Sequence, residues 1–170
     1  GVRGIRLGDD DEVISQAVLR HVDITPAEAR AYLKHATALR RAVDGEEGDD
    51  ADAVAAPDAE DDVTEEIALS PERLVELGAA EEFIMTMTTN GMGKRASAYD
   101  YRVSGRGGKG LIAHKLQTGA KLVASFPIED ADDIIAVTDG GQLIRCPVSQ
   151  VRIAGRSTQG VRVLRTSGQE

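Results

Sequence analysis

The sequence has few of the residues on which several protein classes depend. It contains one cysteine, no tryptophan, three tyrosines and two phenylalanines. A single thiol excludes a disulfide framework and a multi-cysteine metal site. No apolar run approaches the roughly 18 residues of a membrane span, which excludes a transmembrane helix. With so few aromatic side chains the core must be aliphatic, and we expect Cys146, on a predicted strand, to lie in it.

The start of the chain has neither a methionine nor a signal-like segment. We therefore expect a fragment of a longer protein with a cytoplasmic location. Its eighteen glycines favour turns and close backbone approaches over long helices.

The net charge of −9 is distributed unevenly along the chain. Residues 22–82 carry five basic and eighteen acidic groups, whereas residues 83–170 carry twelve basic and seven acidic ones. An acidic middle therefore interrupts a chain whose last half is basic. Such asymmetry is typical of a protein with an anionic partner.

A repeat with an offset of 50 residues organises the second half of the chain. Residues 84–110 align without gaps on residues 134–160. The matched pairs are Ile84/Ile134, Thr88/Thr138, Gly91/Gly141, Arg95/Arg145, Val103/Ile153, Gly105/Gly155, Arg106/Arg156 and Gly110/Gly160.

A partial third copy opens the chain. Gly1-Val2 aligns on Gly110-Leu111 at an offset of 109, and the same offset brings Val13-Ile14 onto Leu122-Val123. The difference between the two offsets places an insertion of 59 residues between about Leu19 and Phe83. The acidic segment is that insertion.

Each 50-residue unit has the pattern of β structure. Residues 83–88 alternate as a two-faced strand does, and Asn90-Gly91 supplies a hairpin turn. Further short strands are predicted at 111–116, 143–148, 151–153 and 161–164. About four strands per unit is typical of a propeller-like blade.

The insertion, assigned to residues 22–82, has its own pattern. Thr25-Pro26-Ala27-Glu28 predicts a capped helix near 26–43, with Tyr32, Ala36, Leu39 and Val43 along one face. Ser70-Pro71-Glu72 predicts a second helix near 71–77, ended by Gly78. Residues 44–66 are acidic and poor in apolar groups, so we expect disorder there.

The glycine-rich loop at residues 104–110 admits two interpretations. Gly105, Gly107 and Gly110 satisfy G-x-G-x-x-G, but a strand rather than a helix is predicted to follow, which disfavours a dinucleotide site. Neither Gly-Lys pair fits a Walker loop. Because basic loops recur at one repeat position, we interpret Arg106, Lys109 and Arg156 as a phosphate site on a rim.

Other candidate sites are weak. His21, His35 and His114 share no metal-ligand spacing, and the carboxylates at 58–62 resemble a solvated tail. No Ser/His/Asp constellation is visible, so we expect no catalytic centre.

Four segments resemble the last blades of the C-terminal domain of the bacterial DNA gyrase A protein. These segments are residues 1–7, 89–95, 106–110 and 155–161, and the resemblance covers residues 1–21 and 83–170. It implies a mainly β fold, a β-pinwheel: a six-bladed disc with strands exchanged between neighbouring blades. Residues 1–21 would end one blade and begin the next, residues 83–131 would form a blade, and residues 132–170 the final one.

The resemblance implies a function in DNA wrapping. The rim of such a disc binds duplex DNA and supports ATP-dependent negative supercoiling by the type II topoisomerase. Implied partners are double-stranded DNA, the gyrase B protein and a second gyrase A protein in an A2B2 heterotetramer, with no membrane. The holoenzyme would use ATP and Mg²⁺, and this segment would hold no cofactor.

Two features depart from the family pattern. The gyrase box, Gln-Arg-Arg-Gly-Gly-Lys-Gly, is degenerate here because Ser104 and Gly105 replace Gln and Arg. None of Tyr32, Tyr99 and Tyr101 has the Ala-Arg-Tyr context of the catalytic tyrosine. The segment is therefore expected to be part of the ATP-hydrolysing type II topoisomerase and to carry no catalytic residue itself.

The candidate DNA-binding residues are the basic side chains of the two repeat units. They are Lys94, Arg95, Arg102, Arg106, Lys109, Arg145, Arg152 and Arg156. Two alternatives remain: the corresponding domain of the topoisomerase IV A protein, and a protein-interaction scaffold that does not bind DNA. The insertion is either a tolerated surface excursion or a DNA mimic in which residues 44–66 compete for the rim.

Overall fold

The computed structural model describes residues 1–44 and 67–165. Short 3₁₀ turns follow two of the strands, at Ala98–Asp100 and Val148–Gln150. The longer elements are α1 (Pro26–Asp44), α2 (Pro71–Ala80), β1 (Phe83–Thr88), β2 (Met92–Ser97), β3 (Leu122–Ile128), β4 (Asp133–Val137), β5 (Leu143–Pro147) and β6 (Val161–Arg162).

The main sheet has four strands in the order β3-β1-β2-β6. β1 pairs antiparallel with β2, Phe83 opposite Ser97, and also with β3, Phe83 opposite Ile128. β6 comes from the second repeat unit but pairs with β2 of the first, with Gly93 opposite Val161. A strand from one unit therefore completes the sheet of the other, as the family resemblance implies.

The second sheet is an antiparallel hairpin of β4 and β5, with Asp133 opposite Pro147 and Val137 opposite Leu143. Within residues 1–44 and 67–165 these two strands pair only with each other. Several of their apolar side chains are exposed, among them Ile135, Val137 and Leu143.

The backbone conformation repeats at the same offset of 50 residues as the sequence. Gly91 and Gly141 have φ of +76° and +78°, and each N–H donates to the carbonyl of the threonine three residues earlier at 3.0 Å. The two 3₁₀ turns are also 50 residues apart. Glycine is favoured at both hairpins because it adopts positive φ without steric cost.

The β core is aliphatic, as the composition requires. Its buried members are Met85, Ile128, Ile134, Val148 and Val151, and the half-buried Cys146 packs against them. The core thus joins residues from both sheets.

Helix α1 begins with the predicted capping box. The Thr25 N–H donates to Glu28 Oε2 at 2.9 Å, and the Glu28 N–H donates to Thr25 Oγ1 at 3.2 Å. Tyr32 and Ala36 of the predicted apolar face are buried, and Leu33 is buried with them, whereas Leu39 and Val43 are exposed.

Helix α2 begins at Pro71, after the Ser70 cap, and continues to Ala80. The predicted end at Gly78 is wrong. A Cβ at Gly78 would lie 3.5 Å from the Tyr32 hydroxyl, an ordinary contact distance, so α1 and α2 lie side by side here. That hydroxyl donates to Glu81 Oε2 at 2.8 Å.

The helical part of the insertion packs on the first repeat unit. Tyr32 and Tyr99 meet edge to face with ring centroids 5.4 Å apart, and the Tyr99 hydroxyl donates to the Leu77 carbonyl at 2.9 Å. Arg40 lies over the Phe83 ring and donates to Glu81 at 2.6 Å. These contacts fix α1 and α2 against the sheet, so this part of the insertion is more than a solvated excursion.

Three other predictions differ from the structure or fall outside it. The strand predicted at 111–116 is absent, because the backbone there bonds to a neighbouring loop at isolated points rather than in a ladder. The strand predicted at 151–153 is reduced to a single parallel bridge between Ile153 and Arg95. The predicted disorder at 44–66 lies outside the described residues, apart from Asp44 at the end of α1. The division of the chain into blades stays a prediction.

We expect Gly91→Ala to destabilise the β1–β2 hairpin more than Gly119→Ala. Both glycines have positive φ, +76° and +80°, so both substitutions carry backbone strain of about 1 kcal/mol. At Gly91 an added Cβ would overlap the Leu164 carbonyl, whereas nothing lies within 4 Å of one at Gly119. Overpacking should cost about 2 kcal/mol more at Gly91.

The measurement is the rate of amide hydrogen exchange in β1 and β2 of each variant. Equal acceleration by the two substitutions would contradict a close approach of the residues after β6 to this turn.

Candidate nucleic-acid interface

The glycine-rich loop at 104–110 is hydrogen-bonded to the first residues of the chain. The Gly107 N–H donates to the Gly4 carbonyl and the Arg6 N–H to the Gly108 carbonyl, both at 2.8 Å. Ile5 and Gly108 form an isolated parallel bridge. Positive φ at Gly107, +79°, allows the loop to turn against this segment.

This pairing brings together four exposed cations. Arg106 and Lys109 lie on the loop, and Arg3 and Arg6 lie on the paired segment. The sequence-based list includes the first two and misses Arg3 and Arg6. The register of the third repeat copy could have found them, since it aligns the start of the chain with residues that follow a basic loop. We call these four side chains the basic rim.

Lys94 is predicted to contact DNA, but the structure places its side chain in the interior. Its side chain is fully buried, and Nζ donates to the carbonyls of Gly155 at 2.8 Å, Thr158 at 2.7 Å and Arg156. An ammonium has three donors, so three carbonyls satisfy it. Lys94 therefore links β2 to the loop of the second unit, and we call this contact the Lys94 cage.

Arg95 is also buried, next to Lys94 on β2. Its Nε donates to the Val151 carbonyl at 2.5 Å, its Nη1 forms an ion pair with Asp130, and its Nη2 lies 3.5 Å from the Ser149 carbonyl. The guanidinium thus joins β2 to the 3₁₀ turn after β5.

Arg156, at the centre of the second loop, turns inward. Its Nε donates to the Asp100 carbonyl at 2.9 Å and its Nη1 to the Ile112 carbonyl at 3.0 Å. Its backbone N–H donates to the Asp100 carboxylate at 3.3 Å. Arg106, at the same repeat position, is exposed.

These three placements change the predicted interface. A buried cation whose donors are engaged by carbonyls is not available to a phosphate. We therefore withdraw Lys94, Arg95 and Arg156 from the predicted DNA contacts.

The remaining candidates are separated in the structure. Arg102 and Arg152 are repeat equivalents. Both are half-buried, and both interact with other groups of the protein. Arg145 lies on β5 of the second sheet, where its Nη2 is 2.6 Å from Asp133 Oδ2. Of the eight predicted residues, the structure places Arg106 and Lys109 together with further exposed cations.

Burial controls the titration of the groups around the Lys94 cage. It lowers the pKa of Lys94 to about 8, with the charge of Asp100 opposing this shift and that of Arg156 adding to it. Burial also raises the pKa of Asp100, against the hydrogen bond and charge of Arg156.

The histidine nearest the cage is structural. His114 lies with Nδ1 2.9 Å from the Thr86 hydroxyl and Nε2 2.8 Å from the Gln159 carbonyl. Burial lowers its pKa, which favours the neutral ring. In residues 1–44 and 67–165, no group of three His, Cys, Asp or Glu side chains could hold a metal ion. In the same residues no helix has the length and apolar character to cross a membrane.

Replacing Lys94 by methionine should destabilise the fold. Three carbonyls would lose the ammonium as a hydrogen-bond partner while the side-chain volume stays similar, and the expected cost is about 3 kcal/mol in the free energy of unfolding. Urea unfolding measures this loss, and Lys121→Met, at an exposed lysine, is the matched control. Equal stability of the two variants would contradict the cage.

The contribution of Lys94 to stability should depend on pH. Its folded pKa of about 8 is below the ordinary value of 10.5, so the unfolded chain binds more protons between these values. This contribution is complete above about pH 10.5 and is lost as the pH falls through about 8. The stability of the wild type relative to Lys94→Met should therefore rise from pH 8 to 10.5 in paired unfolding curves. A constant difference would contradict the lowered pKa.

A protein-family model matches the chain on both sides of the insertion. The model of a family described as the DNA gyrase C-terminal domain, beta-propeller, matches residues 1–18, 82–129 and 132–170. The match omits residues 19–81, close to the insertion assigned from the repeat offsets.

Curated relatives align over the whole chain, including the insertion. A DNA gyrase A protein from Granulibacter bethesdensis is 53% identical over 173 residues, which cover 100% of this chain and 18% of the relative. One from Rickettsia bellii is 40% identical over 169 residues, 97% of this chain and 17% of the relative. The chain thus spans less than a fifth of the length of either protein.

A solved structure, the C-terminal domain of DNA topoisomerase IV, aligns over 49% of this chain and 27% of its own. It shares 22% sequence identity, with a TM-score of 0.46, so the overlap is partial. The match to the family model confirms the mainly β, propeller-like fold class expected from the sequence. The chain belongs to the family of DNA gyrase C-terminal β-propeller domains.

Proposed function

We propose that this chain is a DNA-wrapping segment of a gyrase A protein. It would bind duplex DNA along the basic rim and so support ATP-dependent negative supercoiling by the type II topoisomerase. The observation that carries this proposal is the pairing of the segment with Arg3 and Arg6 to the loop with Arg106 and Lys109. Membership of the gyrase family supports it.

The basic rim suits phosphate groups better than bases. Four cations are held on two hydrogen-bonded backbone segments, which present charge without a planar reading surface. Contacts of this kind bind DNA through its backbone, with a strong dependence on salt and little sequence preference.

The tyrosines near the loop are not arranged for base stacking. The Tyr99 ring packs edge to face on Tyr32 and its hydroxyl donates to the Leu77 carbonyl, and Tyr101 is half-buried. Because exposed aromatic platforms are what single strands stack on, the arrangement favours duplex over single-stranded DNA.

The rest of the reaction is assigned to other parts of the holoenzyme. We propose that DNA cleavage, ATP binding and Mg²⁺ binding lie outside this segment, in an A2B2 assembly with the gyrase B protein and a second gyrase A protein. We also propose a cytoplasmic location, where such an assembly would meet its DNA.

Substituting both Arg106 and Lys109 by alanine should weaken the salt dependence of DNA binding. Loss of two phosphate contacts lowers the slope of log K against log salt by about two. The measurement is a salt series on a duplex of roughly 40 base pairs, with end-to-end FRET to report wrapping, in the full-length polypeptide that contains this chain.

The control is Arg20→Ala with Lys121→Ala, which removes the same charge from two exposed side chains outside the basic rim. Steep salt dependence with approach of the DNA ends supports wrapping. An unchanged slope in the Arg106/Lys109 variant would remove the loop from the DNA path. A folded wild type without duplex binding would favour the protein-interaction scaffold.

A further inference from the structure

One backbone hydrogen bond recurs between successive units. The Arg6 N–H donates to the Gly108 carbonyl at 2.8 Å, and the Lys115 N–H donates to the Thr158 carbonyl at 3.1 Å. The repeat offsets of 109 and 50 place Arg6 on Lys115 and Gly108 on Thr158. The segments that contain Arg6 and Lys115 therefore each bond in the same way to the loop of a repeat unit, the first to the loop at 104–110 and the second to the loop at 154–160.

The residue before each cation lies against the protein. His114 is buried between Thr86 and the Gln159 carbonyl. Ile5 remains 43% exposed but contacts the loop at Gly110, where an added Cβ would lie 3.3 Å from Ile5 Cδ1. Successive side chains of an extended backbone point to opposite sides. The next residue, Arg6 or Lys115, is accordingly exposed.

A third cation occupies the same position. The offset of 50 places Lys115 on Arg165, which is exposed, and the preceding Leu164 is half-buried with its N–H bonded to the Gly91 carbonyl at 3.1 Å. In all three copies, the exposed residue that follows a residue in contact with the protein is therefore basic. The loop position behaves differently, since Arg106 is exposed and Arg156 is buried.

We propose that Arg6, Lys115 and Arg165 are phosphate contacts for duplex DNA, one from each unit, and we call them the cation ladder. This inference rests on the proposed DNA-binding function and extends it beyond the single paired loop of the basic rim. Lysine and arginine can replace each other in the ladder because a phosphate needs charge at this position and no base is read.

The ladder is tested by salt-dependent binding of a duplex of roughly 40 base pairs to the full-length polypeptide. Lys115→Ala with Arg165→Ala, which leaves the basic rim intact, should lower the slope of log K against log salt by about two, and adding Arg6→Ala, which belongs to both sets, should remove about one more. The matched control, Arg20→Ala with Lys121→Ala, should leave the slope at the wild-type value.

The fold should tolerate these changes because the recurring bonds use backbone atoms and the side chains are exposed. Arg6→Lys with Lys115→Arg preserves charge and should preserve the slope. A Lys115/Arg165 variant with the slope of the control pair would overturn the ladder while the proposed function, which rests on the basic rim, stands. Absence of salt-dependent duplex binding by the wild type would overturn both.

Discussion

The arrangement of the repeat units depends on the ammonium of Lys94. The side chain starts on β2, in the middle of the main sheet, and ends among three carbonyls of a loop about sixty residues later in the chain. The ammonium adds a charged donor to these carbonyls, two of which also accept hydrogen bonds from Thr158 or Lys115. The cage therefore fixes where the second unit meets the first. Arg95 and Arg156 act alike, since each buried guanidinium joins carbonyls of another segment. Three cations thus hold the fold together, and counting basic residues overstates the charge available to DNA.

The sequence predicted the features that local chemistry decides. A proline after a capping threonine or serine marks the start of each helix, and glycines with positive φ mark the hairpins, because each needs only a few neighbouring residues. Neighbouring residues in the sequence do not decide whether a side chain points into the protein or toward solvent. Arg95 and Arg145 are repeat equivalents, yet one is buried against Val151 and paired with Asp130 while the other is exposed on β5. Which equivalent turns inward depends on partners distant in sequence, so the repeat predicted the hairpins correctly but could not predict which basic side chains are buried.

The insertion shows a similar difference between composition and structure. Its acidic groups are concentrated: residues 45–66 contain eleven and no basic residue, whereas the described α1 carries four basic side chains. Both helices pack on the first repeat unit through Tyr32, Tyr99 and Leu77. Deleting residues 22–80 would therefore remove packing partners along with charge, and a change in DNA binding could not be attributed to either. Charge reversal within 45–66 separates the two effects because it leaves both described helices intact.

A repeated backbone contact offers a simple route to DNA binding without sequence recognition. The bond between residue 6 and residue 108, and again between 115 and 158, holds the backbone that carries the exposed cation in two of the three copies. Each unit can then present a cation whose identity, arginine or lysine, matters less than its position. A single exposed contact of this kind contributes little, since each phosphate neutralised releases about one counterion. Binding strength must therefore come from the number of units that engage the duplex together. The geometry that repeats is consequently more informative about function than any one basic residue, whereas the buried cations do not repeat and serve to hold the second unit against the first.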